Sequence, residues 1–255
     1  MLLNYKEYGS GEPIIVLHGL LGMLDNWHSF SKLLAENYWV ISVDQRNHGK
    51  SFHSEDFNYQ LLSDDLFQFL EEMHIPKCHL LGHSMGGKTA MQFALDHPDM
   101  VKKLVVVDIS PKAYPGSHHD IFEALLSLEL DKMETRQEAD RQLAQLIQEE
   151  DIRLFLMKNL TRRKEGGYEL KINLPVLHKH YEDVLAAVSG DHPYDGPALF
   201  IRGGRSRHMQ PGDEVLIKQL FPAAVIETIG HAGHWVHAEA PGELLALVKN
   251  FLSKP

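Results

Sequence analysis

Several features that would define other classes of protein are scarce in this sequence. A single cysteine, Cys78, among 255 residues excludes an intrachain disulfide bond and favours a reducing compartment. Acidic side chains outnumber basic ones by 35 to 25, and the net charge of -10, without a basic stripe, argues against nucleic acid or an anionic membrane surface as partner. No apolar run approaches the length of a transmembrane helix, and residues 1–13 show no secretory signal. We therefore expect a cytoplasmic protein that binds neither nucleic acid nor membrane, with secretion by another route left open.

A strand, a glycine-flanked serine and a helix are predicted in succession near residue 84. Residues 78–81 are short and apolar, which predicts a buried strand. Residues 82–86 read Gly-His-Ser-Met-Gly, and apolar residues at 90, 93 and 94 then recur at helical spacing. A serine on such a turn is typical of a nucleophile, because the turn exposes its Oγ and the helix N-terminus faces a developing anion. The pattern alone also fits a surface serine on an ordinary turn.

Strands and helices alternate through most of the chain. Apolar segments predict strands at 2–8, 14–17, 38–43, 78–81, 101–107, 197–201 and 225–229. This alternation predicts a mostly parallel sheet with helices on both faces, in which ligands bind at the carboxyl ends of the strands. His18, Asp44, Ser84 and Asp108 all follow predicted strands, so we expect them along one edge of the sheet.

The alternation stops between residues 112 and 195. Helical patterns predominate there, at 121–130, 136–149, 152–160 and 176–188, and the segment is too long for a loop. A charged run with two glycines at 162–167 is predicted to be a solvated turn. We expect residues 1–111 and 196–255 to form the core and residues 112–195 to form a helical cap, or lid, above the site.

Motifs spread along the chain resemble those of the α/β-hydrolase superfamily. They are His18-Gly19, Asp44-x-Arg46-x-x-Gly49-x-Ser51, Gly82-x-Ser84-x-Gly86 and Gly233-His234. The stretches RNHG, GHSMGGK and GHWVHAE are similar to those of the small bacterial carboxylesterases of the YbfF type. The resemblance covers essentially the whole chain. It implies the α/β-hydrolase fold, a Ser-His-Asp catalytic triad, a small-molecule ester as substrate and no cofactor.

Ser84 is the candidate nucleophile and His234 the candidate base. A serine hydroxyl is a poor nucleophile until a base takes its proton, and His234 matches the catalytic histidine of the resemblance. His231 and His237 also allow a metal-binding interpretation of the spacing HxxHxxH. This spacing lacks the ligand pattern of known zinc sites, so no metal is expected.

The acid of the triad is assigned to Asp108. Most α/β-hydrolases take the acid from the loop that corresponds to residues 203–208, but that loop has no carboxylate here, and Ser206 stands roughly where the Asp is expected. Asp108 follows the strand at 101–107, and the YbfF-like branch takes its acid from there; Ser206 is then a supporting hydrogen-bond partner. Two alternatives remain: Asp108 only shapes a turn, or Asp213, which more naturally begins a helix, is the acid.

The oxyanion hole is predicted from two backbone N–H groups, those of Leu20 and Met85. His18 is either a structural residue of the Leu20 loop or a participant in the site.

Three further polar residues are given no catalytic role. Asp44 and Arg46 are expected to form a structural network below the site. Lys88, one turn into the nucleophile helix, is expected to be exposed.

The leading hypothesis is a carboxylesterase that acts on short to medium acyl chains through an acyl-enzyme. Thioesterases, carbon–carbon bond hydrolases and cofactor-free perhydrolases use the same triad on this fold, and fold alone does not separate them. A hydrolase-fold ligand receptor with little turnover is the non-enzymatic alternative. In the cap, Met157, Leu160, Leu174, Leu177 and Val184 are candidates to line an acyl pocket, although packing of the cap helices on the core is the favoured explanation for each of them.

Overall fold

A seven-stranded sheet forms the centre of the protein in the computed structural model, which describes residues 2–254. Its strands lie in the order β1-β3-β2-β4-β5-β8-β9, and only the β1–β3 pair is antiparallel. The strands are β1 (Tyr5–Tyr8), β2 (Glu12–Leu17), β3 (Tyr38–Val43), β4 (Cys78–His83), β5 (Val101–Val107), β8 (Ala198–Gly203) and β9 (Ala224–Ile229). The predicted mostly parallel sheet is confirmed.

Both faces of the sheet are buried, which is why the central strands are continuously apolar. Along β2, Ile15 and Leu17 point into the larger hydrophobic core, whereas Ile14 and Val16 point into the smaller core on the opposite face. Leu80 and Leu81 on β4 divide in the same way. This period of two places two layers of side chains against helices on either side.

Residues 2–254 contain eleven α-helices. They are α1 (His28–Leu34), α2 (Tyr59–Glu72), α3 (Met85–Asp96), α4 (His119–Leu126), α5 (Arg136–Leu143), α6 (Glu150–Met157), α7 (Leu174–Lys179), α8 (Tyr181–Leu185), α9 (Glu214–Leu220), α10 (Val236–Glu239) and α11 (Pro241–Leu252). Helices α2 and α3 pack on the larger core and α1 and α11 on the smaller one. None of the helices described is long and apolar enough to cross a membrane.

The segment between β5 and β8 carries α4 to α8, as the helical patterns predict, but it also contains a two-stranded hairpin. Strands β6 (Leu160–Arg162) and β7 (Tyr168–Leu170) pair antiparallel. The predicted helix at 152–160 was therefore too long, and it ends at Met157. The predicted solvated turn is the tip of this hairpin, where Gly166 and Gly167 have φ values of 97° and 75° that favour glycine. The division into core and cap stays a prediction.

Candidate active site

Ser84 lies on a strained turn between β4 and α3. Its φ and ψ are 54° and -122°, a conformation that non-glycine residues rarely adopt. A Cβ atom on Gly82 would lie 2.1 Å from the carbonyl oxygen of Gly86, and one on Gly86 would lie 2.5 Å from that of His18. Both glycines are therefore required by close backbone approach, as the motif predicts, and the turn projects Ser84 above the sheet edge.

Three side chains from three different loops form a continuous hydrogen-bond chain. Ser84 Oγ lies 3.1 Å from His234 Nε2, and His234 Nδ1 lies 2.8 Å from Asp108 Oδ2. Asp108 follows β5 and is fully buried; its other oxygen accepts a hydrogen bond of 2.9 Å from the backbone N–H of Gly203. This arrangement fixes the tautomer of His234, because Nδ1 must donate to the carboxylate and leaves Nε2 to accept the Ser84 proton.

Burial sets the protonation state of these groups. It raises the pKa of Asp108 to about 6, an effect that the Ser206 side chain and the Gly203 N–H partly oppose. Burial, reinforced by the neighbouring His208, lowers the pKa of His234 well below the ordinary histidine value. At neutral pH the aspartate is therefore charged and the imidazole is neutral, which is the state that a general base requires.

His208 is a residue of the site that the sequence analysis missed. Its ring stacks on that of His234, with centroids 3.6 Å apart and planes inclined by 22°. It lies in the loop after β8, two residues beyond Ser206, where the resemblance leads one to expect a catalytic acid. Its position in that loop was the only sequence signal.

The Ser206 hydroxyl makes hydrogen-bond contacts with His208. Its Oγ accepts a hydrogen bond of 3.1 Å from the His208 N–H and lies 3.4 Å from His208 Nδ1. The hydroxyl is still near enough to Asp108 to lower the pKa of that carboxyl. Its supporting role stays a prediction.

Leu20 and Met85, the predicted oxyanion donors, both line the cavity above Ser84. Met85 is the first residue of α3, and Lys88 N donates to Ser84 O at 3.0 Å as the first intrahelical bond there. The Met85 N–H therefore has no carbonyl within its own helix. The role of the two N–H groups stays a prediction.

His18 ties down the loop after β2. Its Nδ1 donates to Gly19 O at 2.8 Å and its Nε2 accepts from the Gln45 N–H at 3.0 Å. Burial lowers its pKa to about 4, so the ring is neutral. These contacts favour the structural alternative over direct participation.

The expected structural network around Asp44 and Arg46 is present. Asp44 accepts hydrogen bonds of 2.8 Å from the Leu24 N–H and 2.7 Å from Asn4 Nδ2. Arg46 makes a bidentate pair with Asp65, with distances of 2.5 and 2.7 Å. Because the Arg46 fork is satisfied by a helix carboxylate, it is not free to bind a substrate.

Asp213, the alternative acid, is occupied elsewhere. Its carboxylate pairs with Lys112 Nζ at 2.6 Å and accepts a hydrogen bond of 2.8 Å from the Gln210 N–H. It thus closes a short turn before α9 (Glu214–Leu220). The geometry favours Asp108.

The expectation that Lys88 is exposed was wrong. Only 1% of the residue is accessible to solvent. The physical reason is that the chain segments leading into and out of the insertion lie across the side of α3 that carries Lys88, and their carbonyl groups surround its ammonium.

The three histidines of the HxxHxxH spacing do not converge. His231 is exposed and lies 3.5 Å from Glu243, and His237 stacks on Trp27 with centroids 4.7 Å apart. Potential ligand atoms do converge within 4.8 Å on Asp108, His208 and His234. The two stacked rings direct their lone pairs in nearly parallel planes, a poor arrangement for a single ion.

A cavity of about 700 Å³ lies between Ser84 and the insertion. Its walls from the insertion are mainly apolar and include Ile121, Ile152, Phe155, Leu156 and Val184. Among the pocket residues suggested by the sequence, only Val184 lines it. Leu160, Leu174 and Leu177 are instead packed in the hydrophobic core, and Met157 is likewise buried.

Comparisons with known proteins find relatives that span nearly the whole chain. Residues 12–241 match the family model described as alpha/beta hydrolase fold. A mouse (Mus musculus) protein named sn-1-specific diacylglycerol lipase ABHD11 is 41% identical over 94% of this chain and 80% of its own length. The esterase YbfF of Escherichia coli (strain K12) is 36% identical over 96% of this chain and 94% of its own. A solved structure of a marine microorganism esterase has 40% identity and a TM-score of 0.96, covering 98% of this chain and 99% of its own.

The fold and the site define a hydrolase built on a parallel sheet with its serine on a strand-to-helix turn. The chain belongs to the α/β-hydrolase family, and it is an enzyme of the esterase/lipase type that acts on carboxylic esters.

Proposed function

We propose that the protein is a serine hydrolase that cleaves carboxylic esters of short to medium acyl chains through an acyl-enzyme intermediate. The observation that carries this proposal is the hydrogen-bond chain from Asp108 through His234 to Ser84 beneath the cavity. Each residue has a neighbour suited to its role: a base for the serine, and a buried carboxylate for the base.

In the acylation step, Ser84 Oγ attacks the ester carbonyl carbon while His234 Nε2 takes the hydroxyl proton. The Asp108 carboxylate stabilises the resulting imidazolium and holds its orientation. The carbonyl oxygen becomes an oxyanion that accepts hydrogen bonds from the N–H groups of Leu20 and Met85, each donor being worth roughly a hundredfold or more in rate.

Collapse of the tetrahedral intermediate breaks the bond to the leaving alcohol, which receives the proton from His234. A water molecule then attacks the acyl group on Ser84 in the same way, and the acid is released with the serine restored. Because burial lowers the pKa of His234, the imidazole returns its proton readily at each stage.

Residues 112–195 act in this proposal as the cap that selects the acyl group. A cavity of about 700 Å³ is within the range of pockets that enclose small ligands. The apolar walls contributed by α4, α6 and α8 suit a hydrocarbon chain, and the proposed preference for short to medium chains rests on this limited volume.

The test is p-nitrophenyl butyrate hydrolysis by the wild type and by Ser84→Ala. We expect a burst followed by steady turnover in the wild type, and a loss of about 10⁵-fold in the variant. His231→Ala, which alters an exposed histidine outside the hydrogen-bond chain, is the control and should keep full activity. A burst without turnover would instead indicate a ligand receptor.

A second substrate class is suggested by the relatives named diacylglycerol lipases, together with the apolar lining of the cavity. Hydrolysis rates for a series of p-nitrophenyl esters from acetate to palmitate, and for a diacylglycerol in mixed micelles, distinguish short-to-medium-chain esters from glycerides as the preferred substrates. Faster cleavage of the long-chain or glyceride substrates than of butyrate would replace the proposed chain-length preference but would leave the serine mechanism in place.

A further inference from the structure

Lys88 is a buried cation that the proposed mechanism does not use. It lies on α3, one turn after Ser84, and is 1% exposed. No carboxylate pairs with it among residues 2–254. Burial without an anionic partner lowers the pKa of Lys88 to about 7. Burying the charged ammonium is therefore unfavourable, and its place in the fold needs an explanation.

The ammonium group is surrounded by carbonyl oxygens from the insertion and its connections to the core. Lys88 Nζ donates to Lys112 O at 2.8 Å, to Leu185 O at 3.3 Å and to Ala186 O. These three bonds use all three donors of an ammonium, so the group is not free to bind a substrate. The rings of Tyr114 and Tyr59 lie 4.7 and 5.4 Å from Nζ and complete the cage.

The carbonyl groups belong to the two segments through which the insertion joins the core. The outgoing segment passes through residues 111–114 and the returning one through 184–189. They are paired by hydrogen bonds of 2.9 Å from Tyr114 N to Leu185 O and from Val188 N to Pro111 O. Lys88 therefore fastens both segments to the nucleophile helix at one point.

The same segments form part of the cavity wall. Lys112, Tyr114, Val184 and Leu185 line the cavity together with Ser84. A shift of the paired segments away from α3 would therefore change the space available to the substrate, while the hydrogen-bond chain of Ser84, His234 and Asp108 comes from the core alone.

We propose that Lys88 is a positioning residue: it fastens both connecting segments to the helix that carries Ser84, and through them it sets the acyl selectivity of the enzyme. The inference deepens the proposed function and rests on it for the substrate class. The ammonium is suited to this task because it binds three carbonyl groups from different directions at once, which no neutral side chain of its length does.

The test compares Lys88→Met with the wild type by hydrogen exchange and by ester selectivity. Methionine has a similar length but no donors, so amide exchange in peptides containing Tyr114 and Val188 should be about tenfold faster, with the central strands unchanged. The ratio of kcat/KM for p-nitrophenyl octanoate to that for the acetate should change about tenfold, because misplaced walls affect the longer chain most. Lys32→Met, at an exposed position of α1, is the matched control and should match the wild type in both measurements.

Unchanged exchange in the two segments, or an unchanged octanoate-to-acetate ratio, would overturn the proposal. If Lys88→Met does not fold, Lys88→Gln, which keeps two N–H donors, carries the same comparison with a smaller expected change. Failure of the proposed function is recognised separately, since a wild type without esterase activity would leave the exchange result intact.

Discussion

The elements that carry Ser84 and those of the insertion above it share one hydrophobic core but differ in length. All six residues of β4 are buried in the sheet, and α3 is buried from Met85 to Leu95. The insertion is built from helices of five to eight residues and a hairpin with three residues in each strand. Helices this short depend on packing for their stability. We therefore expect the reacting groups to lie on the more rigid part of the molecule, and the cavity walls that the insertion contributes to lie on the more adjustable part.

The largest effect is expected from a substitution among the catalytic groups, on the more rigid part of the molecule. Asp108→Asn should lower kcat by about 10⁴-fold, because an amide favours the wrong tautomer of His234 and cannot stabilise its cation. Asp213→Asn, which removes a carboxylate paired with Lys112, should lose less than tenfold. Steady-state kinetics with p-nitrophenyl butyrate measures both variants. If Asp213→Asn is the crippled enzyme, the acid has been assigned to the wrong residue.

A smaller effect is expected from the stacked histidine. His208→Ala should lower kcat about tenfold with little change in KM, since the His234 ring would lose the neighbour that holds its plane. His208→Phe keeps an aromatic face and should recover most of the rate. Equal losses in the two variants would mean that stacking is not what His208 contributes.

The pH dependence of kcat/KM tests the protonation states of Asp108 and His234. Burial lowers the pKa of His234 below the ordinary histidine value and raises the pKa of Asp108 to about 6. Protonation of Asp108 removes the charge that stabilises the imidazolium, so kcat/KM should fall as the pH drops below about 6 and stay level above it. Chromatographic measurement of the released acid across this range gives the profile, and an acid limb near pH 7 or above would contradict it.

The smallest effect is expected from a substitution in the cavity wall that the insertion contributes. Leu156→Ala shortens a side chain in the wall contributed by α6 and so enlarges the cavity. The preferred p-nitrophenyl ester should shift towards longer chains, with relative kcat/KM changing by about threefold to tenfold. Leu154→Ala, at a half-exposed position of the same helix outside the wall, is the control. A preference that stays the same in Leu156→Ala would show that this wall does not limit the acyl chain.

The two regions also differ in how far the sequence predicts them. The strands, the Ser84 turn and the shared edge that carries Ser84 and Asp108 follow from alternation, glycine positions and the rule that parallel strands end at one edge. The roles of Asp108 and His234 are implied instead by the resemblance to the α/β-hydrolases. Ser206 was expected beside Asp108 and its hydroxyl does lower the pKa of that carboxyl, but its further hydrogen bond with His208 is set by the path of a loop that periodicity does not describe.

Within the insertion, local pattern is a weaker guide because short elements are decided by tertiary packing. The helix predicted at 152–160 ends at Met157, and Leu160 begins a hairpin strand, since pairing across a glycine turn prevails over local helix propensity. Lys88 was misjudged for a related reason: on a helix it looks like a surface lysine, and it is buried by two distant segments, residues 111–114 and 184–189, that cross its side of α3.

The central claim is that Ser84 becomes acylated, and the direct measurement is mass spectrometry of the wild type quenched during p-nitrophenyl butyrate turnover. We expect one butyryl group on the peptide that contains Ser84, and no such adduct in Ser84→Ala. A butyryl group on another residue, or continued turnover by Ser84→Ala, would contradict it.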